Sequence, residues 1–413
     1  MFRSRHLACA VSLLIFLATL YQYRAVYAPY RRLCRFGYES LELACSLASG
    51  KGFADPFTPL ATGPSAHIAP AFPFLAAQVI RIYGDGPTGA VALQWVAAVA
   101  LALQLSFFPW LTRKWGLGIL PGVLATFPWI FLGITLLPMW EAVYATLFTL
   151  LLAWVMHDIL SGQCSTFRIV VTGVLWGIHF LINPVSLFVL FACLIWVFRA
   201  VTISVKKKVL LLAIPFLIVS PWLIRNYRVF DHVVFIRDNF GLELAISNNP
   251  CARFWFKANQ FSHCYAHPNE SAEEAEKVRA MGEYEYNQAL QKEALSWIRS
   301  NPGRFATLTT QRLIAFWLPT PTGNPFHDQH VPWDMLIVWL LTLLSVPGLF
   351  LLFKKNATAA ITCLLWLVFF PPVYYVIQFD GRYRYPILWA TFIPACFFLI
   401  EMSRGVWRAF RGD

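Results

Sequence analysis

Ten apolar runs, each long enough to form a helix across a bilayer, constrain this chain more than any other feature of its sequence. They lie near residues 7–27, 88–111, 117–136, 140–158, 168–183, 184–199, 208–224, 334–353, 357–377 and 384–402. Residues 168–199 are divided into two short spans because Asn183 precedes Pro184, and the residue before a proline is disfavoured in a helix. The runs predict an all-α polytopic membrane protein with about ten transmembrane helices.

The composition excludes a water-soluble domain. Hydrophobic residues make up 58% of the 413 residues, charged residues make up only 13%, and the mean hydropathy is +0.57. Lys and Arg outnumber Asp and Glu by 33 to 21, an excess that would suggest nucleic acid in a soluble protein. In a membrane protein, the enrichment of positive charge in cytoplasmic loops explains it. We therefore predict no nucleic-acid partner.

Positive charge in the short connections sets the predicted orientation. With the N-terminus and the C-terminus both inside, the cytoplasmic connections carry Arg113-Lys114, Arg168, Arg199, Lys206–Lys208 and Lys354-Lys355. Residues 67–83 contain two prolines, a glutamine and an arginine, and counting them as a span would place Arg113-Lys114 outside. We therefore assign residues 67–83 to an amphipathic helix on the outer membrane surface.

This topology divides the chain into three parts. Residues 1–224 form a membrane module of seven spans with a first outward loop at 28–87, residues 225–333 form a helical outward loop, and residues 334–413 form a module of three spans with a cytoplasmic tail. In the larger loop, Ser271 begins a capping-box pattern, which predicts one helix over 272–300. A second helix is predicted near 303–317.

The nine cysteines include no CxxC pair and no Cys/His cluster at metal-ligand spacing, so the sequence predicts no structural zinc or iron–sulfur site. Cys251 and Cys264 lie in the large outward loop, where a disulfide is chemically feasible. We predict that Cys34 and Cys45 do not pair, because one helix covering both would separate them by about 16 Å.

Acidic residues at the outer ends of spans are functional candidates, because charge at membrane depth is costly. Glu39 begins a predicted short helix in the first outward loop, and Glu141 lies at the start of the fourth span. Each is also explained by the favourable interaction of an acid with a helix N-terminus. If both carboxylates reach the same surface, one can act as a general base and the other as its positioning partner.

Arginines collect at the outer ends of two further spans, against the positive-inside trend. Arg225 and Arg228 follow the seventh span, and Arg382 and Arg384 precede the tenth. Guanidinium groups bind phosphate oxygens bidentately, which predicts a clamp for an anionic headgroup. The alternative is snorkelling or capping at the membrane interface. His67, in the first outward loop, is a further candidate for substrate binding.

Several short segments together resemble a known group of enzymes. They are Phe36–Phe53, Gly63–Pro73 leading to Gly84, Trp140-Glu141, Arg225–Phe230, Ile236–Leu244 and Arg382–Pro386. With them, the chain resembles membrane glycosyltransferases of the type C fold, and more narrowly the family 39-like group related to protein mannosyltransferases and lipid A aminoarabinose transferases. The resemblance covers most of the chain and implies juxtamembrane helices and a helical loop on the periplasmic side.

The resemblance implies inverting transfer of a sugar from a polyprenyl-phosphate donor. In that fold an acidic residue of the first outward loop is the catalytic base, and Glu39 occupies this position. The group usually has an Asp-Glu or Asp-Asp pair, whereas here Gly37-Tyr38 precedes a single glutamate, so Glu42 and Asp55 are the fallback candidates. Asp55 is also counted among the substrate-binding candidates.

The resemblance also implies a setting and partners. We expect a bacterial inner membrane protein that contacts membrane lipids and uses a lipid, polysaccharide or protein acceptor. Some relatives bind a divalent metal beside the base, to which Glu39 and Asp55 would contribute ligands. Two other classes stay open: a transporter or flippase of an anionic lipid or solute, and a catalytically silent protein with this fold. Transporters usually have two halves with matching hydropathy, which this sequence lacks.

Overall fold

The computed structural model describes residues 2–24, 32–35, 37–135, 141–319 and 332–411. The predicted end of the first span at Tyr27 and the motif residues Phe36 and Trp140 lie outside these ranges. Within them, the chain forms helices joined by turns, with isolated β-bridges from Ala54 to Pro64 and from Trp255 to Phe379. The predicted all-α class is confirmed.

The helices follow one another in three groups. Up to residue 230 the described chain forms α1 (Phe2–Tyr23), α2 (Glu39–Ala48), α3 (Ala71–Tyr83), α4 (Pro87–Lys114), α5 (Leu120–Thr135), α6 (Ala142–Leu160), α7 (Thr166–Ile182), α8 (Leu187–Ala200) and α9 (Val205–Phe230). The large outward loop contains α10 (Phe240–Ser247), α11 (Phe256–Gln260), α12 (Ala272–Met281), α13 (Glu283–Ser300) and α14 (Pro302–Trp317). The C-terminal part contains α15 (Trp333–Lys355), α16 (Ala357–Phe369), α17 (Pro372–Val376) and α18 (Trp389–Arg411). Short 3-10 helices occur at Pro184–Ser186 and Gly381–Ile387.

Each of the ten predicted runs contains a helix, but the helices differ in length. Within the described residues, six helical stretches are long and apolar enough to cross a membrane, or seven if the pair bent by 64° between Gly381–Ile387 and Trp389–Gly405 is one span. Ala71–Tyr83, Thr166–Ile182 and Pro184–Ala200 are apolar but shorter. The protein is therefore an integral membrane protein, and the turn predicted at Asn183 separates α7 from α8 as expected.

Close contacts between helices depend on small residues. Gly348 on α15 lies so near α18 that a Cβ would come within 2.2 Å of the Pro394 carbonyl oxygen. Gly173 and Gly177 on α7 would place a Cβ 2.7 Å and 2.5 Å from isoleucine side chains of α9. Glycines at these positions let the helices of the membrane part approach closely, as is common between transmembrane helices.

The first outward loop packs onto the bundle through α3. Phe72, Ala76 and Ile80 are buried along one face of this helix, while Ile82 and Tyr83 are exposed. The amphipathic helix predicted over 67–83 is therefore present, but it begins only at Ala71, after Pro70. The loop is held next to the start of α4 by a hydrogen bond from the Leu33 N–H to the Asp85 carbonyl oxygen of 2.7 Å.

The large outward loop corrects one prediction. The helix predicted over 272–300 is broken at Gly282, whose φ of +87° lies in the region that favours glycine, so α12 and α13 are separate. The capping interaction is present, because the Ser271 hydroxyl accepts a hydrogen bond from the Glu274 N–H at 3.3 Å. The next helix, α14, begins at Pro302, close to its predicted start.

The cysteines correct a second prediction. Cys34 and Cys45 form a disulfide with their Cα atoms 5.8 Å apart, although we predicted that they would not pair. The reason is that α2 begins only at Glu39, so Cys34 lies in the preceding turn and the chain folds back towards the helix. Cys251 and Cys264 are also paired, with a Cα separation of 5.7 Å.

Candidate functional site

A large cavity of about 890 Å³ lies where the two outward loops meet the helix bundle. Its wall is formed by the first residues of α2, the segment at His67, the start of α6, the turn before α8, residues 235–243, residues 256–270 and residues 373–386. These segments are far apart in the sequence. The site therefore depends on the packing of both outward loops against the membrane helices.

The lining of this cavity contains opposite charges and an extensive apolar area. Its acidic residues are Glu39, Glu141, Glu243, Glu270 and Asp380. Its basic residues are Arg237, Lys257 and Arg382, accompanied by His67 and His267. Its aliphatic and phenylalanine residues are Ile68, Val185, Phe188, Phe235, Ile236, Phe240, Phe256, Val373 and Ile377. A ligand with a charged head and a long apolar tail fits this distribution.

Glu39 is the first residue of α2, and its side chain is only 14% exposed. Its Oε1 lies 3.8 Å from His267 Nε2. Burial raises the pKa of this carboxyl above its usual value, and a hydrogen bond to the backbone and the charges of Arg382 and Arg237 oppose that rise. A carboxyl whose pKa is raised in this way is a stronger base than an exposed glutamate.

The histidines beside Glu39 belong to different loops. His67 comes from the first loop and His267 from the large loop, and their rings meet edge to face at 6.2 Å between centroids. Burial lowers the pKa of both rings, so both are neutral at ordinary pH. The Asn269 N–H donates to His267 Nδ1 at 3.1 Å, so neutral His267 carries its proton on Nε2, facing Glu39.

Arg237 connects the histidines to the second predicted acid. Its Nε donates to the His67 carbonyl oxygen at 3.1 Å, and its Nη1 lies 4.0 Å from Glu141 Oε1. Arg382, which also lines the cavity, has its Nε 3.5 Å from Asp380 Oδ2. The two guanidinium groups are each positioned by a carboxylate at the cavity surface. An anionic ligand group can therefore interact with either arginine inside the cavity.

Glu243, in the first turn of α10, is a further buried acid of the wall. Burial raises its pKa, while the charges of Arg237 and Arg382 lower it. Among the described residues, its Oε2 has no hydrogen-bond partner. The charge of Glu39 contributes to the raised pKa of Glu243, and the charge of Glu141 contributes to the raised pKa of Glu39.

The structure brings four of the predicted site residues to the cavity, namely Glu39, Glu141, His67 and Arg382. The others lie elsewhere. Arg225 donates to the Phe53 and Ser65 carbonyl oxygens, at 2.8 Å and 2.6 Å, and Arg228 is exposed on the last turn of α9. Asp55 accepts a hydrogen bond from the Gly63 N–H at 2.8 Å, and Arg384 is buried among carbonyl and hydroxyl oxygens behind the wall.

Sequence reasoning assigned no role to several residues of the wall. Arg237 and Glu243 lie within the resembling segment Ile236–Leu244. A basic and an acidic residue close together in such a segment are a signal by which they could have been chosen as candidates. Lys257 and His267 carry no comparable signal, because they are isolated polar residues in a polar loop. Their contribution follows only from the way the large loop packs over the first.

The same cluster has the chemistry of a divalent-metal site. Glu39, His67 and His267 place one carboxylate oxygen and two ring nitrogens within 4.8 Å of one another. These are zinc ligands, and burial favours the neutral imidazole that binds metal. Within the described chain, His67 Nδ1 has no hydrogen-bond partner. Ligation through His267 Nε2 requires its proton to leave that nitrogen. The donor set fits, whereas Asp55 lies outside the cluster.

No protein-family model and no curated protein matches the sequence. Among solved structures, the oligosaccharyltransferase of Archaeoglobus fulgidus in complex with Zn and sulfate is similar, with a TM-score of 0.53 and 16% identity over 96% of this chain and 49% of that chain. ArnT from Cupriavidus metallidurans bound to undecaprenyl phosphate gives a TM-score of 0.38 and 11% identity over 98% of this chain and 79% of that chain. The second score is too low to support an argument.

The first similarity shows a shared fold, and the predicted type C fold is thereby confirmed. This chain spans about half the length of the oligosaccharyltransferase it matches.

Proposed function

We propose that this protein is a membrane glycosyltransferase that moves a sugar from a polyprenyl-phosphate donor to an acceptor at the outer face of a bacterial inner membrane. The observation that carries the proposal is the lining of one cavity, where buried Glu39 is close enough to Arg237 and Arg382 for their charges to affect its pKa. A lipid-linked sugar phosphate needs a base for its acceptor, cations for its phosphate and an apolar surface for its tail. The cavity has all three.

The apolar part of the wall leads towards the lipid. Phe188, at the start of α8, lines the cavity and is 51% exposed. Phe191 and Ile195 follow at helical spacing and are 44% and 56% exposed. This exposed face of α8 provides a path along which a polyprenyl tail can lie in the membrane while its phosphate reaches the arginines.

The proposed reaction begins with the acceptor hydroxyl, whose proton passes to the Glu39 carboxylate. The acceptor oxygen then attacks the anomeric carbon of the sugar from the face opposite the phosphate. The bond between that carbon and the phosphate oxygen breaks, and polyprenyl phosphate leaves with the electron pair. Arg237 and Arg382 stabilise the negative charge that develops on the leaving phosphate. Attack from the opposite face inverts the configuration of the anomeric carbon.

Two neighbouring groups position this machinery. We assign Glu141 a positioning role, because its Oε1 lies 4.0 Å from Nη1 of Arg237. In the absence of a bound cation, the Nε2–H of His267 faces Glu39 and favours the carboxylate form of the base. Lipid, polysaccharide and protein acceptors all carry a hydroxyl that this arrangement can deprotonate.

A divalent cation is part of the proposal. Glu39, His67 and His267 would hold it, and it would supply a Lewis acid close to the leaving phosphate. Zinc titration of the purified protein, followed by calorimetry, tests this independently of turnover. We expect one bound zinc for the wild type and none for His67→Ala. Equal binding by both proteins would remove the metal from the proposal.

The test of the enzyme is transfer from radiolabelled polyprenyl-phosphate sugars by the full-length protein in lipid nanodiscs. We expect Glu39→Gln to reduce transfer by about 10²–10⁴-fold, the usual contribution of general base catalysis, while the lipid still binds. Glu42→Gln is the matched control, since it removes the same charge from the same helix at a position that does not line the cavity. We expect Glu42→Gln to retain transfer.

Two outcomes would contradict the proposal. Loss of transfer in Glu42→Gln but not in Glu39→Gln would move the base to the fallback residue. Binding of the lipid without transfer in the wild type, for every donor tested, would favour a catalytically silent protein with this fold, and movement of the intact lipid between leaflets would favour a flippase.

A further inference from the structure

A second cavity lies at the opposite end of the bundle from the large one. Its volume is about 430 Å³, within the range of about 300–1,000 Å³ that small-molecule sites occupy. It is formed by the residues just after α4, the end of α15 and the later turns of α18. Because α4 begins beside the first outward loop and ends at Lys114, this cavity faces the other side of the membrane.

The lining of this basic pocket is strongly charged. It contains Lys354, Lys355 and Arg404 against a single acid, Glu401. Arg404 Nη1 lies 2.6 Å from Glu401 Oε1, and both lysines are exposed. Leu117 and Phe397 form buried apolar parts of the same lining. One acid balances one of the three cations, so the pocket has a positive charge that an anion can neutralise.

General rules explain only part of this arrangement. Lysines in the last turn of α15 stabilise the helix dipole, and positive charge is expected at the cytoplasmic ends of spans. Neither rule requires the cations to come from two helices and to surround a cavity that also has an apolar wall. Basic pockets between transmembrane helices are sites where anionic lipid headgroups bind.

An exposed apolar stripe on α15 continues from the pocket along the membrane-facing surface. Leu343, Val346 and Phe350 recur at helical spacing and are 61%, 68% and 61% exposed. Lys354 belongs to the same face, because its Nζ lies 4.3 Å from the centre of the Phe350 ring. The stripe therefore leads acyl chains directly to a cation of the basic pocket.

We propose that the basic pocket binds the phosphate headgroup of an anionic phospholipid, with its acyl chains along the stripe of α15. This site is independent of the large cavity and of the reaction proposed there. It would fix one lipid molecule against α15 and α18 on the side of the membrane opposite the sugar-transfer site.

The experiment is native mass spectrometry of the full-length protein released from nanodiscs that contain equal amounts of phosphatidylglycerol and phosphatidylcholine. We expect the wild type to retain phosphatidylglycerol preferentially. The variant Lys354→Gln/Lys355→Gln/Arg404→Gln should lose this preference by about tenfold or more, because each cation near an anionic lipid contributes to binding. Lys354→Gln alone should weaken it to a smaller extent and serves if the triple variant does not fold.

The matched control is Lys206→Gln/Lys207→Gln/Lys208→Gln, which removes three positive charges from the start of α9, outside the pocket. We expect this control to keep the preference. Equal loss in the control would assign the effect to general charge, and full retention in the pocket variant would overturn the site. A second arm adds inorganic phosphate to lipid-free protein in detergent; binding of phosphate as tight as that of the lipid would assign the pocket to a free anion instead.

Discussion

The wall of the large cavity and the packed layer behind it use arginine in different ways, and two residues of one 3-10 helix show the contrast. Arg382 lines the cavity and is positioned by Asp380 at 3.5 Å. Arg384 is 3% exposed, and its guanidinium donates to the Trp317 carbonyl oxygen and the Thr342 hydroxyl, both at 2.7 Å. The first can exchange its interactions for those of a ligand, whereas the second joins α14, α15 and the start of α18.

Other arginines follow the same division. Arg312 in α14 is fully buried and donates to the Val376 carbonyl oxygen at 3.0 Å, and Arg225 donates to carbonyl oxygens of the first loop. Arg237 has both kinds of partner, because its Nε donates to the His67 carbonyl oxygen at 3.1 Å while its Nη1 lies 4.0 Å from Glu141 Oε1 at the cavity. A buried cation is therefore not by itself evidence of a binding site. The position of the guanidinium group decides, because a group bonded only inside the packed layer has a structural role, whereas a group beside a carboxylate of the cavity can also contact a ligand.

The sharpest test of this difference is Arg382→Gln. We expect transfer to fall by about 10²–10³-fold, equivalent to about 2.7–4 kcal/mol, because one group that stabilises the leaving phosphate is removed. The midpoint of thermal unfolding should change less than for a fully buried arginine, since the Arg382 side chain is 21% exposed and its ion pair with Asp380 lies at the cavity surface. Transfer assays and unfolding measured on the same preparation check both parts. A large loss of stability would place Arg382 in the packed layer.

The reverse result is expected for Arg384→Gln. The change leaves carbonyl oxygens of α14 without their donor inside the protein, which should lower the free energy of unfolding by roughly 2–4 kcal/mol. Transfer per folded molecule should stay close to that of the wild type. Denaturant unfolding in detergent measures the first quantity, with Arg382→Gln as the comparison. Unchanged stability together with lost transfer would move Arg384 into the site, as its sequence position suggested.

The sequence could predict the membrane helices because their apolar runs are local features. It also singled out Glu39 and Glu141, which line the cavity, since each lies at the start of a helix next to a loop. It could not separate Arg382 from Arg384, because both lie in the same short motif. In the structure they are two residues apart in one 3-10 helix, Gly381–Ile387, and therefore project from different sides of it.

Contacts between the two outward loops could not be predicted. His267 reaches Glu39 only because residues separated by more than two hundred positions are held together, for example by the hydrogen bonds of Asn269 with Thr58 and Gly37. The disulfide between Cys34 and Cys45 was missed for a simpler reason. Its prediction depended on the exact residue at which α2 begins, and helix boundaries are poorly determined by sequence.

Acidic residues also divide into those that line the cavity and those packed behind its wall. The pH dependence of the free energy of unfolding tests the second kind. Glu283, behind the wall, accepts a hydrogen bond from the Ala66 N–H at 2.6 Å, and burial raises its pKa to about 8. Since its pKa in the unfolded chain is lower, the folded state binds the proton more tightly. The stabilisation is complete below the unfolded pKa and is lost as the pH rises towards 8.

We therefore expect the free energy of unfolding to fall by about 1–3 kcal/mol between pH 5 and pH 9 through this group. Glu283→Gln keeps an oxygen acceptor for Ala66 and should flatten this dependence. Glu293→Gln, which changes an exposed residue of the same helix, should leave it as in the wild type. Thermal unfolding across this pH range checks both variants. Identical curves for Glu283→Gln and the wild type would exclude Glu283 as the cause.

The smallest effect is expected for Arg228→Gln, because Arg228 belongs neither to the cavity wall nor to the packed layer behind it. Arg228 is exposed on the last turn of α9 and does not line the cavity, so transfer should stay within about twofold and the free energy of unfolding within about 0.5 kcal/mol of the wild type. Transfer assays at several donor concentrations measure this. A tenfold loss of transfer would support the predicted phosphate clamp at Arg228, because the donor phosphate would then bind outside the large cavity. A neutral result would confine phosphate binding to arginines that face carboxylates, as Arg237 and Arg382 do.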